Sequence, residues 1–217
     1  MATGKTAPAG GRTRVLDSAE LLFARNGFDG TALREISRHA KVEVGLLPYH
    51  FRTKAELFRE TLLRRAPEFA AALDAALDEL LGGDAPVGVE AVLAAYLDAH
   101  IALVRSPERG WRSYLRLAAE AMLHVGKEEL SGGATAIYRP VMQRYEEVLV
   151  ETARGIGPEE TRRAWSIFRR SILTMLIQYG HEDPLPLREL AELRGTCLAI
   201  FAHFLTAGAA PSRQGTA

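Results

Sequence analysis

The sequence predicts an all-α protein, and three observations carry that expectation. Apolar residues recur at spacings of three and four along most of the chain, the period of an amphipathic helix. No stretch alternates apolar and polar residues for long enough to stand as a strand. The punctuation at Gly27, Gly82-Gly83, Pro107, Gly155 to Pro158 and Pro184/Pro186 divides the chain into about nine or ten helices.

Taken in order, residues 1–11 are small, rich in Gly and Pro and without period, and are expected to be a disordered arm. Lys5, Arg12 and Arg14 put positive charge on and beside it. From Arg12 to Asn26 the residues Val15, Leu16, Ala19, Leu22 and Phe23 make one stripe, and Asn26-Gly27 is a left-handed stop. Thr31 follows Asp29-Gly30 and is expected to cap a short second helix whose narrow apolar face is Leu33, Ile36 and Ala40. A third segment opens near Glu43 and sets Leu47 and Phe51 four apart, so that both pack while Tyr49 and His50 point elsewhere. Two short helices around a tight turn are a helix-turn-helix candidate.

Thr53 and Glu56 form the ends of a capping box for a fourth helix, which continues through Leu57, Phe58 and Leu62. Pro67 is expected to kink or restart it, placing a domain boundary at roughly 60–67, and EFAAALDAALDELL carries it on to Gly82. Further helices are expected over about 86–104, 108–124, 134–154, 158–180 and 186–207, with residues 126–134 as a loop and Pro140 either opening or kinking its helix. The expected domains are 12–60, 61–207 and a disordered tail at 208–217.

Composition narrows the classes of function. A 47% hydrophobic share with 25% charged residues is ordinary for a water-soluble globular protein, and 217 residues bury enough apolar surface to fold without staples. Zero net charge argues against a surface that is basic throughout, but residues 1–60 hold ten Lys/Arg against seven Asp/Glu, a local footprint that doubles in a homodimer. Cys197 is the single cysteine, so no disulfide framework or cysteine zinc site is expected. With no apolar leader and no apolar run of about 18 residues, the expectation is a cytoplasmic protein without a membrane partner.

Phe23, Gly27, Phe28, Thr31, Arg34, Glu35, Ile36, Ala40, Val42, Gly45, Leu47, Tyr49, His50, Phe51, Lys54 and Leu57 together resemble the N-terminal pattern of the tetracycline-repressor (TetR) family of one-component bacterial transcription regulators. The resemblance covers about residues 12–60. It implies a three-helix DNA-binding domain joined by a linking helix to a C-terminal helical domain for ligand binding and dimerisation. The implied activity is ligand-responsive regulation, with repression a family expectation: a homodimer on a palindromic operator, released by a small hydrophobic effector. A helical small-molecule-binding or adaptor protein without sequence-specific DNA binding is the alternative.

The candidate DNA-binding residues are Thr31, Arg34, Val44, Gly45, Leu46, Pro48, Tyr49, His50 and Lys54. Arg34 and the start of the third segment would face base edges. Thr31, Tyr49, His50 and Lys54 suit phosphate oxygens, with a packed structural role for His50 equally open. Four positions depart from the family pattern: Lys41 stands where Gly is common, Glu43 where Ser is, Val44 where a polar residue is, and Pro48 where an aromatic is. Lys41 must then tolerate a strained turn conformation, or the turn must differ. Pro48 implies a recognition helix that begins late or lacks a hydrogen bond, and Val44 to Pro48 would read thymine methyls and groove shape.

An effector pocket is expected among Tyr96, His100, Trp111, Tyr114, Met122, His124, Tyr138, Met142, Trp165, Phe168 and Met175, any of which could instead be core or interface. Few Arg or Lys lie among them, which favours an uncharged or weakly charged ligand. Trp165, Ile172, Tyr179, Leu190, Leu193, Cys197, Phe201 and Phe204 give the last two helices more apolar surface than one core needs, and are the candidate dimer interface. No HExxH, G-x-S-x-G or P-loop is present, so neither an enzyme nor a cofactor or metal is expected.

Overall fold

The computed structural model describes residues 10–108, 110–123, 128–179 and 187–206, with the side chains of 123, 128, 129, 131, 132, 173, 176–179 and 187 outside the description. Residues 1–9 of the expected arm at 1–11, His124 and the bend at Pro184/Pro186 lie outside it, as does the expected tail, while Gly11 already belongs to the first helix. Among the described residues the elements are α1 (Gly11–Gly30), α2 (Leu33–Ala40), a 3-10 turn (Val44–Leu46), α3 (Leu47–His50), α4 (Lys54–Leu81), α5 (Val89–Val104), α6 (Trp111–Leu123), α7 (Glu128–Thr152), α8 (Pro158–Tyr179) and α9 (Leu187–Thr206). The all-α expectation holds, and no described helix is long and apolar enough to cross a membrane.

The chain forms two compact units, and neither is a continuous stretch of sequence. The first takes residues up to Ala66 together with Glu108–Thr135, so that α6 packs on α1 beside the helix-turn-helix. Its core is built on Phe23, Ile36, Leu47, Phe51, Leu57, Phe58 and Tyr114, with the Phe23 and Phe28 rings both set edge-on to Phe58 at 5.1 and 5.3 Å. A buried carboxylate, Glu20, receives Arg64 at 2.8 Å and Arg65 at 3.4 Å, and Arg65 also reaches Glu108 at 2.6 Å. Burying an anion in this way is tolerable only because cations meet it.

The second unit takes Pro67–Pro107 and the residues from Ala136 onward. Within it α5 and α8 both pack on α9. Tyr96, Tyr145, Trp165, Phe168 and Ile172 fill its centre. Arg194 clasps Asp98 through two hydrogen bonds of 2.5 and 2.7 Å, tying α9 to α5.

Several expectations are corrected. Pro67 does not restart the helix: α4 runs 28 residues through the proline, although the two units part at Ala66 and Pro67. Residues 128–134 are helical rather than a loop. Gly133 is accommodated there because its Cα lies close against α4, where an added Cβ would come within 3.0 Å of Leu63. Pro140 lies inside α7 and does not open it, and α5 starts at Val89 rather than near residue 86.

Candidate functional site

The start of α2 differs from the expectation. Ala32 occupies the cap position without any side-chain cap, and Thr31 is buried with its hydroxyl directed back at α1, donating to the carbonyls of Leu22 at 3.1 Å and Gly27 at 2.8 Å. A hydroxyl so committed is not presented to a phosphate. Gly27 interrupts α1 at φ +75°, a conformation that glycine alone adopts freely.

The turn after α2 is where the sequence departs from the family pattern. Lys41 adopts the left-handed conformation, φ 54° and ψ 49°, the one non-glycine with positive φ among the described residues. Its N–H donates to the Arg38 carbonyl and that of Val42 to the Ser37 carbonyl, the two bonds of a Schellman motif. The motif closes with a lysine, and the expected strain is present.

The third segment starts as a 3-10 turn and becomes α-helical only at Leu47, with Pro48 in its first turn. A proline there gives up an N–H that has no intrahelical partner in any case. Leu47 is buried and fixes the segment to the core, whereas Val44, Leu46 and Tyr49 are 53%, 48% and 85% exposed. Gly45 and Pro48 are exposed too. Three large apolar side chains in water on one short segment form a surface built to be covered. Arg34 is exposed on α2. His50 is half-buried, and the ring centroids of Tyr49 and Phe51 lie 5.3 and 6.2 Å from its own. Lys54 lies 4.7 Å over the Phe28 ring and 3.4 Å from the Asp29 carbonyl, holding its ammonium beside the joint between α1 and α2. The expected capping box forms with one change: Thr53 Oγ1 accepts from Glu56 N–H, and the Glu56 carboxylate accepts from Arg52 N–H.

Sequence reasoning missed Glu120. Its carboxylate, on α6, accepts a hydrogen bond of 2.5 Å from the Phe28 N–H, and a Cβ on Gly27 would approach it to 3.0 Å. A charge-assisted bond to a backbone N–H at a helix break is a strong local restraint. A lone glutamate 92 residues from its partner gives no signal in the sequence.

The expected pocket residues fall into different units. Trp111, Tyr114 and Met122 stand on α6 in the first, where Trp111 and Tyr114 are buried core, and Met122 is 42% exposed. Tyr96, His100, Tyr138, Met142, Trp165, Phe168 and Met175 stand in the second. There the rings of His100 and Trp165 lie 4.4 and 4.8 Å from that of Tyr96, and Phe69 touches both His100 and Tyr138. His100 Nδ1 donates to the Tyr96 carbonyl at 2.8 Å, and complete burial pushes the imidazole pKa down to about 4, so the ring is neutral at physiological pH. Burial likewise pushes the Tyr96 phenol pKa up, with the charge of Arg169 opposing it.

The expected dimer residues also separate. Trp165, Ile172, Leu190 and Cys197 are buried in the unit's own core and leave almost no surface for a partner. Leu193 and Phe201 are half-buried, and the side chain of Tyr179 lies outside the described residues. Phe204 is 54% exposed, joined by two residues outside the expected set, Ile167 on α8 and Ile200 on α9, at 57% and 60%. The helical period alone does not tell which of two apolar faces turns inward.

The described residues thus hold an N-terminal helix-turn-helix with an exposed apolar segment and a second, aromatic-cored helical unit. Residues 15–61 match the model of the bacterial regulatory proteins of the tetR family. The N-terminal stretch 15–61 is therefore similar to the DNA-binding domain of that family, and the chain spans about a quarter of the length of the curated relatives it matches. It is 33% identical over 51 residues to IcaR, the negative transcriptional regulator of the biofilm operon icaADBC in Staphylococcus epidermidis. That match spans 24% of this chain and 28% of IcaR. The fold is shared along almost the whole length with a TetR-like regulator of Rhodococcus sp. RHA1 (TM-score 0.64, 15% identity, 94% of this chain and 100% of that one). It is equally shared with the ketosteroid regulator KstR2 of Mycobacterium tuberculosis (TM-score 0.64, 17% identity, 95% and 99%).

Proposed function

We propose that the chain is a ligand-responsive transcriptional repressor that binds a palindromic operator as a homodimer and is released by a small effector held in its second unit. The observation that carries this reading is the exposed apolar segment Val44–Tyr49, fixed by buried Leu47 inside the stretch that matches the family. Arg34 supplies direct base readout, since a bidentate arginine on guanine is worth about 1–3 kcal/mol of discrimination. Val44, Leu46 and Pro48 read thymine methyls and groove shape, and Tyr49, His50 and Lys54 grip phosphates. Thr31 acts through its position and not its hydroxyl. The sequence likeness to a negative regulator supports repression.

Ile167, Ile200 and Phe204 supply the two-fold interface, their exposure on α8 and α9 being the support. Two recognition segments enter successive major grooves only when about 34–36 Å apart. An effector that favours another arrangement of the pair lowers operator affinity, and operator lowers effector affinity by the same factor. Footprinting on the DNA upstream of the chain's own gene, at several salt concentrations, tests the proposal. A protected palindrome is expected, with Lys54→Ala weakening every sequence and flattening the salt slope, and Arg34→Ala relaxing sequence preference. No protected site, or unchanged affinity in both variants, leaves the helical adaptor reading in its place.

A further inference from the structure

The second unit seals three nitrogen atoms from solvent without giving them a hydrogen-bond partner: His100 Nε2, Trp165 Nε1 and Arg169 Nε. Buried polar groups are nearly always paired, and three orphans around one residue call for an explanation. All three surround Tyr96. The His100 and Trp165 rings touch its ring, and the charge of Arg169 acts on its phenol. The neighbouring polar groups are satisfied by contrast. Tyr145 donates to the Leu73 carbonyl at 2.9 Å, and in the first unit the other tryptophan, Trp111, donates to Glu108 at 3.2 Å.

The chemistry of each orphan is determined. Because His100 Nδ1 faces a carbonyl, it carries the ring proton, and Nε2 is left as a bare acceptor that wants an O–H or N–H. Trp165 Nε1 and Arg169 Nε are donors that want an acceptor. Trp165 and Arg169 sit four residues apart on α8, one turn, with the guanidinium 5.3 Å over the indole, and no ion pair of Arg169 exists among the described residues. A guanidinium against an aromatic wall, with no ion pair among the described residues, suits an anion with a flat apolar body.

We propose that this Tyr96-centred cluster is a binding site for a small aromatic carboxylic acid bearing a hydroxyl group. The carboxylate accepts from Trp165 Nε1 and Arg169 Nε, and the hydroxyl donates to His100 Nε2. The ligand ring exchanges one set of ring contacts for another with Phe69 and Tyr96, whereas the three nitrogens gain partners they lack. The inference rests on the effector reading above and narrows the class of effector from the uncharged or weakly charged hydrophobic ligand that the sequence favoured.

The test uses the full chain with Trp111→Phe, which leaves Trp165 as the single tryptophan reporter. Ortho-, meta- and para-hydroxybenzoate, benzoate and phenol are titrated while tryptophan emission is followed. At least one hydroxybenzoate is expected to give a saturable change and to bind more tightly than benzoate or phenol. Arg169→Met is expected to weaken the acids about tenfold or more and to leave phenol unchanged, the loss of one charge-assisted contact. His100→Phe is expected to erase the preference for hydroxybenzoate over benzoate. Should His100→Phe fail to fold, Arg169→Lys, which keeps the charge but loses the planar donor, is expected to fall between wild type and Arg169→Met. No saturable change with any acid below about 10 mM, or acid affinities indifferent to Arg169, overturns the proposal; 10 mM marks binding too weak for a built site. Footprinting without ligand reports separately on DNA binding. An intact footprint without acid binding overturns this site alone, and acid binding without a footprint upholds the site while overturning the regulator reading.

Discussion

Lys41 is where the sequence and the backbone disagree most openly. A β-carbon in the left-handed region costs about 1 kcal/mol that glycine does not incur. Lys41→Gly is therefore expected to raise stability by about 0.5–1 kcal/mol, read as a shifted urea midpoint with unchanged slope. A drop in stability would show that the turn relies on the lysine side chain. Lys41 also places a positive charge on the exposed surface between Arg38 and the Val44–Tyr49 segment that the proposed function sets against DNA. On that reading, the glycine variant gains stability and loses affinity for all DNA alike. This residue also shows what is legible in the sequence. A Gly-favouring position occupied by Lys announces either a strained turn or a different one, and Pro48 either a late-starting helix or a missing hydrogen bond; the backbone takes the first course in both cases. Both are backbone rules that act within a few residues. The hydroxyl of Thr31 illustrates the opposite case: a hydroxyl able to cap α2 serves equally well to satisfy carbonyls at the end of α1, and only tertiary packing chooses between them.

At the scale of elements, the connection between α6 and the helix-turn-helix is made by Glu120. Its carboxylate holds the Phe28 N–H at the break in α1, and Thr31 ties the next step of chain to the Gly27 carbonyl. Removing the acceptor frees the angle at which α2 leaves α1. Glu120→Ala is expected to reduce operator affinity at least several-fold while affinity for unrelated duplex DNA stays near wild type, because non-specific binding depends on charge more than on register. Glu120→Gln keeps an acceptor oxygen and should recover much of the loss. Equal losses on operator and unrelated DNA in Glu120→Ala would mean that the bond serves stability alone. Helix boundaries are readable from caps and breakers, as Thr53-Glu56 and Pro158 show. Pro67 and residues 128–134 are not, because a helix passes through a proline or a glycine pair wherever its neighbours supply enough contacts, and those neighbours are distant in sequence.

For the whole molecule, the exposed side chains of Ile167, Ile200 and Phe204 determine the expected assembly. Ile200→Glu with Phe204→Glu puts charges in the centre of the proposed interface, where their desolvation costs more than any contact returns. Analytical ultracentrifugation is expected to find wild type as a dimer and the double variant as a monomer with native helix content; a double variant that remains dimeric removes α8 and α9 from the interface. The sequence shows that α8 and α9 carry surplus apolar surface but not its direction, since Trp165 and Ile172 lie close to Ile167 along α8 and face inward. A last consequence concerns inheritance. The first unit is assembled from two separate stretches of chain, with Pro67–Pro107 spliced between them. No single crossover in the gene can transplant the first unit whole, with α6 included. Chimaeras cut at residue 66 are therefore expected to arrive without Glu120 and without the footing it provides.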